Sequence, residues 1–334
     1  MPDFSIGVDL GGTNLRIAAI TSEGKIIEKV ALAARLELGR DHVLDEMCGA
    51  IRTLSDKHRS VGKFLGTGVG MPGVLDIEAG ILRKAANLPG WDDYPVRDEI
   101  ERRLGTRVFL NHDAKVAALG EQWLGAGRGV DNMAMITLGT GIGGAFILNG
   151  KIHYGMNGMS GEFGHLTIEP EGDPCGCGNR GCAERYASAT AVVRMAREAI
   201  ASGRAPALAK AAESDPKFSA LAVFNLAMQG DEEARRIYRR FGQVLGIMLA
   251  DVVNVLNLEV FVIGGGVVDA WDAFAPVMFE ELRARSIVYG ATAPADPMGE
   301  GGKLGPHTKG KTVITRALLG GDAGLYGAAR LPAM

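Results

Sequence analysis

The sequence predicts an α/β protein built from two related domains, and three observations predict it. A strand, a glycine turn and a second strand occur near the start, and the pattern restarts in the middle. Asp9-Leu10-Gly11-Gly12-Thr13 recurs approximately as Thr137-Leu138-Gly139-Thr140-Gly141. Runs with helical apolar spacing alternate with short strand-like runs. The chain has 334 residues, 47% hydrophobic and 22% charged, which is ordinary for a globular protein long enough for two cores.

Each element has a local reason. Residues 5–8, 15–20 and 25–32 are apolar or strand-like and form a meander, its first pair joined by Gly11-Gly12-Thr13-Asn14. Residues 41–58 place Val43, Leu44, Met47, Ile51 and Leu54 on one helical face. Residues 64–69 and 107–110 read as strands, and 113–124 as a helix ending near Gly125. The second half repeats the scheme: strands at 133–138 and 145–148 around a glycine-rich turn, helices at 188–202 and 232–253, a strand at 259–263 and a helix at 271–285. Residues 291–311 are rich in Gly, Pro and Lys and read as a surface loop. A last strand at 312–316 and a helix at 322–330 close the chain.

Composition narrows the function. Net charge is −3 and no Lys/Arg stripe stands out, which argues against nucleic acid as a partner. No run of about 18 apolar residues could span a membrane, and the first residues lack the basic start of a signal peptide. Cys175, Cys177 and Cys182 crowd into eight positions while Cys48 stands alone. That is not a spread disulfide framework; it reads as a metal cluster in a reducing cytoplasm. Cys48 reads as a small buried hydrophobe.

Three familiar patterns are accidental. Gly139-x-Gly141-x-x-Gly144 and Gly68-x-Gly70-x-x-Gly73 fit the dinucleotide fingerprint, but no helix pattern follows them. The stretch 305–312, GPHTKGKT, fits a Walker A loop but leads into β-branched residues. The turns between strands are more informative. A tight turn of Gly and Thr gathers backbone N–H groups into a concavity that suits an anion, although glycines that merely supply positive φ would look alike. Two related turns, and Gly264-Gly265-Gly266 behind a buried strand, favour nucleotide binding. His165, Cys175, Cys177 and Cys182 supply the four N/S ligands of a closed structural zinc site, and the interspersed glycines allow tight wrapping.

Together these motifs resemble the ROK family of sugar kinases and repressors over nearly the whole chain. Residues 9–13 resemble its first phosphate loop and 138–144 its second. Glu162-x-Gly164-His165, followed by Cys175-Gly176-Cys177-Gly178-x-x-Gly181-Cys182-x-Glu184, resembles its signature. The resemblance implies an actin-like ATPase (ribonuclease H-like) fold with two α/β domains around a cleft, and a homodimer or homotetramer. The small domain is expected at 1–112 plus 318–334 and the large one, carrying the zinc loop, at 113–317.

The implied activity is phosphorylation of a hexose at O6 with ATP and Mg2+. Asn87-Leu88-Pro89-Gly90-Trp91 resembles a sugar-binding segment of the family's glucose kinases, so glucose is the first expectation. N-acetylglucosamine, N-acetylmannosamine, fructose and allose are alternatives. Asp113 would be the general base; its bland reading is a helix N-cap. Asp9 would hold Mg2+ through water, as a hard cation that keeps part of its hydration favours. Gly11, Gly12, Thr13, Asn14, Gly139, Thr140, Gly141, Gly143, Gly265 and Gly266 would meet the nucleotide. Asn87, His112, Asp113, Glu162, His165 and Glu184 would line the sugar. His112 and Lys115 stand where the family usually has Asn, and His112 is expected to point at a sugar hydroxyl. A repressor of the family would carry a helix-turn-helix before the first strand; Gly7-Val8-Asp9 arrives too early for one.

Overall fold

The computed structural model describes residues 2–60, 62–85 and 87–334. In chain order the strands are β1 (Phe4–Leu10), β2 (Asn14–Thr21), β3 (Ile26–Ala33), β4 (Phe64–Met71), β5 (Val74–Asp76), β6 (Ile81–Lys84), β7 (Val108–His112), β8 (Met133–Leu138), β9 (Ile142–Leu148), β10 (Lys151–Ile152), β11 (Val260–Gly264) and β12 (Val313–Arg316). The α-helices are α1 (Arg40–Lys57), α2 (Val96–Leu104), α3 (Asp113–Leu124), α4 (Ala189–Ala201), α5 (Pro206–Ser214), α6 (Ala220–Met228), α7 (Glu232–Leu256), α8 (Trp271–Arg285), α9 (Ile287–Thr292) and α10 (Ala323–Arg330).

The duplication expected from sequence is visible in the strand orders. One sheet runs β3-β2-β1-β4-β7 and the other β10-β9-β8-β11-β12, so the two correspond strand for strand. In the first, β1 is antiparallel to β2 and parallel to β4, and β7 is parallel to β4. In the second, β9 and β10 are antiparallel and β11 and β12 parallel. The chain divides into two compact units: Met1–Met135 with Ala145–Ser160 and Leu318–Met334, and Ile136–Gly144 with Gly161–Ala317. The boundary expected at 112/113 therefore falls inside the first unit, which retains α3.

In the first unit the strand period of two sorts the core. Phe4, Ile6 and Val8 of β1, with Leu15 and Ile17 of β2, pack with Leu44, Met47, Ile51 and Leu54 of α1. Cys48 lies in the same core, and burial pushes its thiol up to about 11, so it behaves as a hydrophobe. On the opposite face, Ala18 and Ile20 meet Leu325 and Ala329 of α10. That face needs glycine. A Cβ on Gly7 would overlap the Leu325 carbonyl oxygen, and one on Gly68 the Ala328 carbonyl oxygen. Gly68 thus lets α10 lie close on the sheet, and Gly70 makes room for Val116 of α3; both are inside β4 and form no phosphate turn.

In the second unit the all-buried, β-branched β11 pairs with β12, and α7 packs on α8. Gly242 of α7 faces the Phe274 carbonyl, and Phe241 and Phe274 lie with ring centroids 4.9 Å apart. The stretch 291–311 is not wholly a surface loop. Turns at Glu300–Gly302 and Pro306–Thr308 bury Gly301 and Thr308, and the buried Thr308 hydroxyl is satisfied by the backbone of Gly305. β12 follows it where a Walker A loop would open a helix.

Candidate active site

In the first unit the site residues gather at the C-terminal ends of parallel strands, the usual place for ligands in such sheets. The register puts Asp9 beside Gly70, and Gly70 beside Asn111, one step before His112 and Asp113. After β1 the chain turns tightly: the Gly11 N–H donates to the Asn14 carbonyl at 2.8 Å, and the Thr13 carbonyl accepts from the Ala34 N–H at 2.9 Å. A Cβ built on Gly12 would stand 3.3 Å from Asn87 Cβ, so the first glycine turn and the expected sugar segment adjoin. That segment is anchored by Leu88 and Trp91, both buried, and exposes Asn87.

Asp9 is partly buried, with Oδ2 3.7 Å from Arg16 Nη1. Burial, then the nearby charge of Asp113, pushes its carboxyl up to about 6; Arg16 opposes this and Asp322 adds to it. A partly buried carboxylate with two acidic neighbours is under-neutralised, and a divalent cation fits that excess of negative charge.

Asp113 opens α3 with its side chain 42% exposed. Its Oδ1 accepts from the Ala114 N–H at 2.6 Å and lies 3.1 Å from His112 Nδ1. Among the described residues no hydrogen bond reaches Oδ2. Asn111, by contrast, is buried: its Nδ2 donates to the Tyr154 hydroxyl at 2.8 Å and its Oδ1 accepts from the His112 N–H at 2.9 Å. Asn111 is therefore spent on the protein, and it does not stand in for the family's Asn. Lys115, also buried, donates from Nζ to the Ser160 carbonyl at 3.0 Å. Sequence gave no role to Tyr154 or Ser160; their pairing with 111 and 115 has no sequence signature.

In the second unit the turn between β8 and β9 is pinned from several sides. The Gly139 carbonyl accepts from the Ala189 N–H at 2.9 Å, and the Thr140 carbonyl from the Thr190 hydroxyl at 2.8 Å. The Ile142 N–H donates to Glu184 Oε2 at 2.9 Å. β9, a strand, follows these glycines, so they cannot serve a dinucleotide fingerprint. Gly265, at φ +89°, lies against the same turn: a Cβ there would come within 2.7 Å of Leu138 N. The glycines at 139–143 and 265–266 are thus brought together. The Glu162–His165 turn packs here too, since a Cβ on Gly164 would approach the Ile142 carbonyl oxygen at 2.6 Å.

The four ligand atoms of His165, Cys175, Cys177 and Cys182 lie within 4.8 Å of one another. His165 Nδ1 is 3.8 Å from Cys175 Sγ, and Cys177 Sγ is 3.7 Å from Cys182 Sγ. Zn–S bonds of about 2.3 Å in a tetrahedron separate sulfurs by about 3.8 Å. The donor set and its spacing fit zinc. Burial and the adjacent thiols push the Cys182 thiol up to about 12, the environment in which a cation would replace protons.

Comparison with known proteins accords with this geometry. The ROK family model matches residues 5–297. A glucokinase from Halalkalibacterium halodurans is 36% identical over 324 residues, covering 96% of this chain and 92% of that one. A glucokinase from Thermotoga maritima is 36% identical over 326 residues, covering 98% and 96%. The crystal structure of a ROK family glucokinase from Streptomyces griseus in complex with glucose and AMPPNP superposes with a TM-score of 0.77 at 31% identity, covering 98% of each chain. The fold is the α/β, actin-like ATPase fold that the sequence motifs imply. With the family model spanning residues 5–297 and these relatives covering nearly the full length of both chains, this protein belongs to the ROK family.

Proposed function

We propose that this chain is an ATP-dependent hexose kinase that transfers the γ-phosphoryl group of ATP to O6 of glucose. The observation that carries the reading is Asp113: a carboxylate at the end of a parallel strand, with one oxygen bonded and the other open. The similarity to two glucokinases at 36% identity, and to a glucokinase solved with glucose and AMPPNP, supports glucose as the acceptor and ATP as the donor.

In this reading Asp113 Oδ2 accepts the O6 proton as O6 bonds to the γ-phosphorus. The bond from that phosphorus to the bridging oxygen breaks, and ADP leaves. Asn87, His112, Glu162, His165 and Glu184 hold sugar hydroxyls, Glu184 through the oxygen not bonded to Ile142. The backbone amides of Gly11, Gly12, Thr13, Asn14, Gly139, Thr140, Gly141, Gly143, Gly265 and Gly266 meet the nucleotide. Asp9 would hold Mg2+, which when bound neutralises phosphate charge. His165, Cys175, Cys177 and Cys182 would hold a structural zinc, leaving His165 Nε2 for a hydroxyl. The enzyme works in the cytoplasm as a homodimer or homotetramer, with neither nucleic acid nor membrane as partner. Among the described residues no helix is long and apolar enough to cross a membrane.

The test is a panel of hexoses assayed for ADP release with ATP and Mg2+. Glucose should be the fastest acceptor, with glucose 6-phosphate as product. Faster turnover of N-acetylglucosamine, N-acetylmannosamine or fructose would move the substrate and keep the class. Sugar binding without turnover of any hexose would instead mark a sugar-responsive regulator.

A further inference from the structure

We infer that Lys115 is a positioning residue for the sugar site: from the first turn of α3 its ammonium holds the Ser160 carbonyl, and so fixes the backbone that presents Glu162. The inference rests on the kinase reading above, which gives Glu162 a sugar hydroxyl and Lys115 no part. Lys115 is 1% exposed and ranks among the largest fully buried side chains. Burying an ammonium is costly unless it is bonded, and an apolar side chain of like length would avoid that cost. Lysine offers three donors and no acceptor, so its use in such a place is to hold oxygen atoms. Its Nζ donates to the Ser160 carbonyl at 3.0 Å, and both residues lie in the first unit.

The segment that Lys115 holds has little else to fix it. Gly155, Gly158 and Gly161 have φ of +70°, +86° and +94°, and three glycines in seven residues leave the chain many conformations to lose. Met156 is 98% exposed and Met159 is exposed too, so apolar packing contributes little. The Ser160 N–H donates to the Tyr154 carbonyl at 3.2 Å, the Ser160 hydroxyl to the His153 carbonyl, and the Met159 N–H to Asn157 Oδ1 at 3.4 Å. Among the described residues the hydrogen bonds of 155–161 other than that of Lys115 stay within 153–163. Glu162 follows two residues after Ser160 and is exposed. Among the described residues its carboxylate makes no hydrogen bond, so the backbone decides where it stands. Beyond it Phe163 is buried, and the Phe163 N–H donates to the Gly161 carbonyl at 2.8 Å. Before it the anchor is the Ser160 carbonyl on Lys115.

The test compares wild type, K115M, E162A and the K115M/E162A double variant. Each is measured by equilibrium glucose binding, by kcat and KM for glucose with ATP, by thermal melt and by amide hydrogen exchange of the full chain. Methionine keeps most of the stem and removes the donor. K115M should weaken glucose binding about tenfold and raise the glucose KM alike. Its kcat at saturating glucose should stay within about threefold, and amide exchange at 160–163 should quicken. E162A should weaken glucose binding by itself. Adding K115M to it should weaken binding by less than about twofold more, because Lys115 acts through Glu162. The proposal is overturned if K115M binds glucose as wild type does, if it lowers kcat and not affinity, or if its loss persists undiminished in the E162A background. A lowered melt with unchanged glucose affinity would leave Lys115 a packing residue and overturn it as well. Should K115M not fold, the wild type decides: its bonded Ser160 amide should be protected, and exchange at the rate of an unstructured chain would refute the anchor. Failure of every hexose to turn over in the wild type would overturn the kinase reading instead, and quicker exchange at 160–163 in K115M would still support the anchor.

Discussion

Gly141→Ala should damage the site through Glu184 and not through its own backbone. The backbone at 141 is not left-handed, so alanine meets no φ penalty there. A Cβ built on Gly141 would lie 2.8 Å from Glu184 Cδ and overlap Oε2. Ordinary carbon contacts sit at about 3.5–4.0 Å, so the carboxylate must retreat by roughly 1 Å. It would then lose the 2.9 Å bond from the Ile142 N–H. A bond to a charged group contributes about 1.5–3 kcal/mol, so the melting temperature should drop by a few degrees. The larger effect should be kinetic: a group misplaced by about 1 Å can cost ~10²-fold, read as kcat/KM for glucose. A double-mutant cycle with Glu184→Ala isolates the cause. If the alanine acts by pushing Glu184, then Gly141→Ala in the Glu184→Ala background should change kcat/KM by less than about threefold. An undiminished loss in that background would refute the reasoning and point to a clash of the new methyl with the nucleotide.

Two further substitutions probe the other parts of the site. Asp113→Asn should lower kcat by about 10²–10⁴, the scale of general-base catalysis, with glucose affinity changed only a few-fold because the amide is nearly isosteric; near-native turnover would remove Asp113 from the mechanism. Cys177→Ser should abolish stoichiometric zinc in purified protein and lower both the thermal melt and glucose affinity. Wild-type protein without zinc, or the variant with a full equivalent, would contradict the ligand set.

How much was legible depended on whether the signal is local. The helix at 113–124, the strand at 133–138 and the helix at 271–285 coincide with α3, β8 and α8, because capping, apolar spacing and flanking glycines all lie within the segment. The clustering of His165 with the three cysteines was legible for the same reason: three cysteines within eight positions leave few other uses. α2 was missed because Val96, Ile100 and Leu104 stand in a run of charged residues, too sparse for a face. α5 and α6, and the β5–β6 hairpin, are short elements whose formation depends on what they pack against. The 68–73 glycines were set aside as a motif, but sequence cannot say what a missing Cβ makes room for; here it is the Ala328 carbonyl of α10 at Gly68, the Val116 side chain of α3 at Gly70 and the Lys84 carbonyl at Gly73. The Asn111–Tyr154 and Lys115–Ser160 bonds span more than forty residues each and leave no trace in either neighbourhood.

The spacing Cys182-x-Glu184 gains a physical meaning once the second unit is in view. Cys182 is fully buried, and the Ala183 N–H after it donates to the Leu166 carbonyl at 2.9 Å, one residue past His165 of the Cys/His cluster. The turn Ala183–Arg185 then sends Glu184 back to the Ile142 N–H. One residue therefore separates a cysteine placed to hold metal from a carboxylate that fixes the second glycine turn. A metal at the four ligands would constrain both ends of this path, since His165 and Cys182 lie on its two strands of chain. Releasing the metal frees Cys182, and with it the backbone that aims Glu184. On this argument zinc loss reaches the nucleotide turn as well as the sugar contacts, so Cys177→Ser should weaken ATP binding along with glucose binding. An intact ATP affinity in the zinc-free variant would show that the turn is held by Ala189 and Thr190 alone.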